Sequence, residues 1–232
     1  MLKQNQLFLY EEIMLLALKD EEGTIASGTN YQYALAGGIL AELLLGEKIT
    51  AEERKKKKYA VLKDSTPLGD SVMDECLKKI IQSKKNQQLQ TWVSRFSGLK
   101  NLKHRTALKL VERGILRADE DKVLLLFTRK IYPEVDPEPE RRMIERMRTA
   151  IFTDSGDIDP RTVVLISLAD STGLLKVVFD KKELKPQKKR IEQIVNGELT
   201  GKATKEAIQA MQAAVFVACI MPAVIASTTA GH

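Results

Sequence analysis

The chain has 232 residues, 44% hydrophobic and 29% charged, with a formal net charge of +6. That length can bury a substantial core, and that balance excludes a chain dominated by disorder. No Gly-, Ser- or Pro-rich linker divides it, which predicts one domain over 1–232. Cys76 and Cys219 both sit in apolar helical patterns, so buried free thiols in a reducing compartment are expected rather than a disulfide. The N-terminus MLKQNQLFLYEE lacks a charged-then-apolar signal pattern.

In chain order the pattern is mostly helical. Leu9–Lys19 and Tyr31–Leu45 read as two apolar helices joined through Asp20-Glu21-Glu22-Gly23. Gly46 is placed to stop the second as a left-handed residue. Gly37-Gly38 inside that helix suits close helix packing. Lys48–Thr50 and Tyr59–Leu62 are short extended runs flanking Arg54–Lys58, which puts a basic run near a hairpin tip. Asp70 caps a helix whose stripe is Val72, Met73, Cys76, Leu77, Ile80 and Ile81. Leu89, Trp92, Val93 and Phe96 mark another, with Trp92 expected in the core. Leu99–Arg113 follows and stops at Gly114. Ile115–Leu116 and Val123–Phe127 are expected to pair around Ala118–Asp121. Prolines 133, 137 and 139 end that unit. Met143, Ile144, Met147 and Ile151 mark a further helix, Pro160 starts one behind Asp159, and Ile191, Ile194 and Val195 mark a late one. Ala207–Thr229 carries no charge, yet Gln209, Gln212 and Pro222 interrupt it, so a buried core helix is expected rather than a membrane span. The expected architecture is a mostly α, single globular domain on a core helical bundle, with one or two short β-hairpins.

Charge is uneven. Arg54–Arg117 holds 17 Lys/Arg and five Asp/Glu, a balance of +12, while the rest of the chain is at −6. A basic block on a slightly acidic body points to an anionic partner, lipid or nucleic acid. Catalytic patterns are lacking. The histidines are His104 and the terminal His232, and no zinc spacing, phosphate loop or nucleophile elbow occurs. Adjacent Glu11-Glu12 and Asp74-Glu75 do not share a helix face, and capping or surface charge accounts for them. The richest candidate is LKNLKHRTALKLVERGILR, where Lys100, Lys103, Arg105, Lys109, Arg113 and Arg117 stand against Glu112. Lys100 and Lys103, three apart on one predicted helix, are placed to grip a phosphate.

Five motifs in order, EEIMLLALKDEEG, GGILAELLLGEKI, KDSTPLGDSVMDECLKK, LVERGIL and DPRTVVLISLAD, resemble the Golgi phosphoprotein 3 family, in style closer to its prokaryotic members. The resemblance implies a non-enzymatic peripheral membrane protein without cofactors, on the cytoplasmic side. Eukaryotic members bind phosphatidylinositol 4-phosphate. Two arginines of their headgroup site align with Lys100 and Lys103, a loop tryptophan with Ser27, and a helix arginine with Ala36. Charge is kept at two positions without the guanidinium fork and lost at the other two, so weakened headgroup selectivity over general anionic-lipid binding is expected. Arg105, with Tyr31 or Tyr33 as aromatic surface, completes the expected site. The family's hairpin region helps contact the bilayer, and here Arg129, Lys130, Ile131 and Tyr132 are expected as its exposed part. The family's basic N-terminal extension for Golgi enzyme sorting is not seen, since Leu7 already reads as core, so cargo sorting is not expected. The alternative is a winged-helix-like nucleic-acid binder, with the basic helix in the major groove and Arg129 and Lys130 on a wing.

Overall fold

In the computed structural model, residues 6–19, 21–123, 127–154, 156, 158–199 and 208 are described. The sequence LYEEIMLLA is apolar almost all round, and a helix of that kind belongs inside. It forms α1 (Leu9–Ala17), buried along its whole length. Packed on it are α2 (Tyr31–Leu45), α5 (Leu102–Glu112), α6 (Glu138–Phe152), α7 (Pro160–Thr172) and the short α8 (Leu175–Val178). Gly38 sits at the α1–α2 crossing. A Cβ there would come within 2.7 Å of Ile13 Cδ1 and 3.0 Å of the Tyr10 backbone nitrogen, so the close approach requires glycine. Outside this layer lie α3 (Ser71–Ile81), α4 (Leu89–Ser97), α9 (Lys181–Leu184) and α10 (Lys188–Val195). One cluster of buried residues runs from Leu7 to Ile208, with Trp92 among its largest members.

The mostly helical reading holds, with two antiparallel hairpins, β1 (Ile49–Arg54) with β2 (Lys57–Leu62) and β3 (Asp119–Val123) with β4 (Phe127–Ile131). The basic run does occupy the first hairpin tip, where Lys55 and Lys56 take φ of 49° and 61°. The second hairpin differs from expectation. Its strands are Asp119–Val123 and Phe127–Ile131, and Leu116 instead bridges to Glu134. Cross-strand charge explains the register, since Asp121 faces Arg129 with an ion pair at 2.7 Å and Glu120 faces Lys130. Of the expected strand Val123–Phe127, Val123 ends β3 and Phe127 begins β4, and 124–126 lie outside the described residues. Gly46 is not the left-handed stop of α2, because its φ is −81° and Glu47 takes the positive φ of 53°.

Glu11 and Glu12 are not surface charges. Both are buried, at 0% and 5% exposure. Glu11 accepts from the Phe8 backbone N–H at 2.8 Å and from Arg113 at 3.0 and 3.1 Å. Glu12 pairs with Arg146 at 3.1 Å, and Glu42 of α2 accepts from Leu9 N–H at 2.8 Å and from Arg161 of α7 at 2.9 Å. Arg161 also donates to the Leu7 carbonyl. These carboxylates collect at the amino end of α1, where free N–H groups and the helix dipole favour negative charge. The result ties α1, α2, α6 and α7, with the end of α5, to one another. Burial raises the Glu11 and Glu12 pKa values, and the facing arginines oppose that rise.

Asp70 caps α3 as expected, accepting from Val72 and Met73 N–H, and it also accepts from the buried Tyr10 hydroxyl at 2.9 Å. Cys76 is a buried free thiol whose pKa burial pushes up. Cys219, His232 and nearly all of 207–229 lie outside the described residues, apart from Ile208, which is fully buried. No helix among the described residues is long and apolar enough to cross a membrane.

Candidate anion-binding site

Three elements meet where α1 hands the chain to α2. The connecting loop is closed by a Leu18–Ile25 bridge and by Lys19 N–H donating to Thr24 O at 2.8 Å. Gly23 turns it with φ +58°, and its carbonyl accepts from Tyr132 N–H at 2.9 Å. A Cβ on Gly23 would fall 2.3 Å from the Pro133 nitrogen. This contact fastens the loop to the end of β4. The first turn of α5 supplies the third side, because Asn101, at φ 57°, breaks the chain direction just before Leu102.

Between them lies an open cavity of about 690 Å³. The loop contributes Lys19, Glu22, Thr24 and Ser27, and the start of α2 contributes Tyr31. Lys103 and His104 come from α5, and Thr128, Arg129 and Lys130 from β4. Lys19 is paired with Glu22 at 3.0 Å and Arg129 with Asp121 at 2.7 Å. Lys103 and Lys130 have no ion-pair partner among the described residues. Burial, followed by the Arg129 charge, lowers the Lys103 pKa. Burial lowers His104 as well, reinforced by the Lys103 and Lys130 charges. Both shifts have the same causes, burial first and then neighbouring positive charge, at a cavity whose lining carboxylate, Glu22, is paired with Lys19. Such a place takes an anion, and its rim of ammonium, guanidinium, imidazole and hydroxyl groups matches phosphate oxygens.

The predicted site residues divide. Lys103, Tyr31, Arg129 and Lys130 line the cavity, as does Ser27. Lys100 is exposed in the turn before α5, so it and Lys103 are not rungs of one helix. Arg105 points to α3, with Nη1 2.6 Å from Glu75 and Nη2 3.4 Å from the Ser71 carbonyl. Tyr33 packs against the core, and Ala36 is fully buried at 0% exposure. Ile131 is half-buried opposite Asp119. Tyr132 is not part of an exposed tip, since it is 2% exposed. Its hydroxyl lies 2.9 Å from His104 Nδ1, and its backbone is held by Gly23. Sequence reasoning missed Lys19, Glu22, Thr24, Thr128 and His104. His104 carried a signal, because it is the one histidine placed inside a basic helix.

Comparison with known proteins gives the family of the chain. A family model described as Golgi phosphoprotein 3 (GPP34) matches residues 9–211. Vacuolar protein sorting-associated protein 74 of Schizosaccharomyces pombe (strain 972 / ATCC 24843) is 28% identical over 176 residues, covering 68% of this chain and 52% of that protein. The chain thus spans about half the length of this curated relative. With the match running through every described helix, the chain belongs to the Golgi phosphoprotein 3 family.

Proposed function

We propose that the protein is a non-enzymatic, peripheral membrane-binding unit that holds the phosphate of an anionic lipid headgroup between α5, β4 and the α1–α2 loop. One observation carries this reading: Lys103 and Lys130, neither in an ion pair among the described residues, line a cavity they share with Arg129 and His104. Lys103, Lys130 and Arg129 bind phosphate oxygens, and His104 adds an N–H once protonated. Tyr31, with the Ser27 and Thr128 hydroxyls, faces the headgroup ring. Lys100 and the exposed Lys55 and Lys56 add attraction from outside the cavity. Selectivity for phosphatidylinositol 4-phosphate is weak, because lysines stand where a bidentate fork would fix orientation and Ser27 offers no aromatic surface. The chain acts as one unit at the cytoplasmic face of a membrane.

The nucleic-acid reading loses ground on charge. Arg105, Lys109 and Arg113 of the basic helix are committed to Glu75, Glu112 and Glu11. Few cations remain on α5 for a phosphate backbone.

Vesicle flotation tests the proposal. Association is expected with phosphatidylcholine vesicles carrying phosphatidylserine or phosphatidylinositol 4-phosphate, and it should weaken with salt, since exposed charges are screened over about 8 Å at physiological ionic strength. Mixed-sequence DNA is run in parallel. Absence of vesicle association at low salt, or a stronger response to DNA than to vesicles, overturns it.

A further inference from the structure

A second basic region lies far along the chain from the cavity just described. Lys176–Arg190 holds seven basic residues against Asp180 and Glu183. It folds as α8, α9 and the start of α10, and these enclose a groove of about 470 Å³. Leu175, Leu184, Ile191 and Val195 line it with apolar surface. Lys176, Lys181, Lys185 and Lys188 also line it, all exposed, against the two acids Asp170 and Glu192. Lys176 feels the Asp170 charge. Lys181, Lys185 and Lys188 have no ion-pair partner among the described residues. The contrast with Lys48, Lys58, Lys79 and Lys109 is direct, because each of those has a carboxylate within 4 Å.

We propose that this groove docks an acidic amphipathic helix of a protein partner. The chemistry of the surface selects that occupant. Apolar residues from three separate helices make a concave floor, which suits an inserted row of side chains better than a flat bilayer surface. The lysine stems extend the apolar area while their ammonium groups stay in water, leaving a positive rim that calls for carboxylates beside the apolar row. Along α10, eight residues span about 12 Å at 1.5 Å per residue, room for two turns of a bound helix. The fitting sequence presents Leu, Ile or Met at i, i+3 or i+4 and i+7, flanked by Asp and Glu. Docking here is separate from the anion cavity and does not depend on lipid binding.

The test uses the full chain and a synthetic 14-residue peptide, acetylated and amidated, with leucines at helical spacing among glutamates and alanines. Fluorescence anisotropy should show saturable binding that weakens with salt. A scrambled peptide of equal composition should bind at least roughly tenfold more weakly, as should Lys181→Glu with Lys185→Glu or, separately, Leu184→Asp, each about 1.4 kcal/mol. Circular dichroism confirms that the variants fold, and a variant that unfolds is replaced by Lys188→Glu. Four outcomes overturn the proposal. The peptide does not bind. The scrambled peptide binds equally, which reduces the groove to bare charge. The substitutions abolish phosphatidylserine-vesicle association while the peptide stays unbound, which makes the groove a lipid surface. A photo-crosslinker at position 184 captures residues of the same chain beyond 208, which makes the groove an internal contact.

Discussion

Two clusters of charge lie at opposite ends of α5, and they are built in opposite ways. At its carboxyl end, Arg113 meets Glu11 beside the Glu12, Glu42, Arg146 and Arg161 network, where burial is deep and each carboxylate faces a guanidinium. At its amino end, Lys103 and His104 face Lys130 and Arg129 across open space. Compensated, buried charge fixes helices to one another. Uncompensated charge at a cavity raises the free energy of the empty site and leaves that energy for a ligand of opposite sign to recover. Perturbed pKa values occur at both places, so perturbation alone does not distinguish a binding site from a structural joint. The presence or absence of the counter-charge does.

Breaking the joint should produce the largest effect. Glu42→Ala removes the nearest carboxylate of the buried Arg161, leaving it the Leu7 carbonyl and Glu12 at 3.7 Å, and also removes the acceptor of Leu9 N–H, so it is expected to cost about 3 kcal/mol in denaturant unfolding. A loss under roughly 1 kcal/mol would show that water already satisfies Arg161. Gly23→Ala comes next. It forces an L-residue into φ +58° and drives a Cβ into the Tyr132–Pro133 backbone, so a loss of at least about 2 kcal/mol is expected, with the loop displaced from β4.

The cavity should respond in the reverse sense, through binding and not through stability. Lys103→Ala with Lys130→Ala should weaken anionic-vesicle association by about 2 kcal/mol, roughly thirtyfold, at about 1 kcal/mol per basic residue. Unfolding free energy should stay within about 0.5 kcal/mol of the parent. Lys55→Ala with Lys56→Ala, at the first hairpin tip, should weaken association less. A tryptophan at Ser27 with arginine at Lys103 sharpens the comparison, because preference for phosphatidylinositol 4-phosphate over phosphatidylserine should rise. Ala36→Arg is a poor companion, since that side chain would enter the core.

The smallest effect concerns protons, and its two arms have opposite signs. The folded His104 pKa lies below the ordinary 6.5, so the unfolded chain binds more protons in that window. Stability of the lipid-free protein should therefore be complete above about pH 6.5 and decline as pH falls through that range. Lipid association should strengthen over the same fall, because a bound phosphate favours the imidazolium. His104→Gln should remove both trends. Vesicle association that is flat between pH 7.5 and 5.5 in the parent would remove His104 from the site.

The sequence by itself determined the helices. The all-round apolar character of Leu9–Ala17, the Asp70 cap, the Pro160 start behind Asp159 and the stop at Gly114 are local properties, and the structure reproduces them because propensity and burial agree there. It also determined the family, through motifs that keep their order. The site was legible only in part. Of the residues expected at the headgroup site, Lys103 and Tyr31 line the cavity while Lys100, Arg105 and Tyr33 do not; Arg129 and Lys130, expected as membrane contacts, line it as well, and Tyr132, expected beside them, is buried. Helical spacing says which residues share a face but not what stands opposite. Arg105 went to Glu75 and Tyr132 went inward to His104, 28 residues away in sequence. The carboxylates show the same division. Two adjacent glutamates on a helix read as surface until Arg113 and Arg146, more than 100 residues away in sequence, arrive to bury them. Which charges are compensated was decided only when distant helices packed, because ion pairing depends on distance in space and periodicity records only position along the chain.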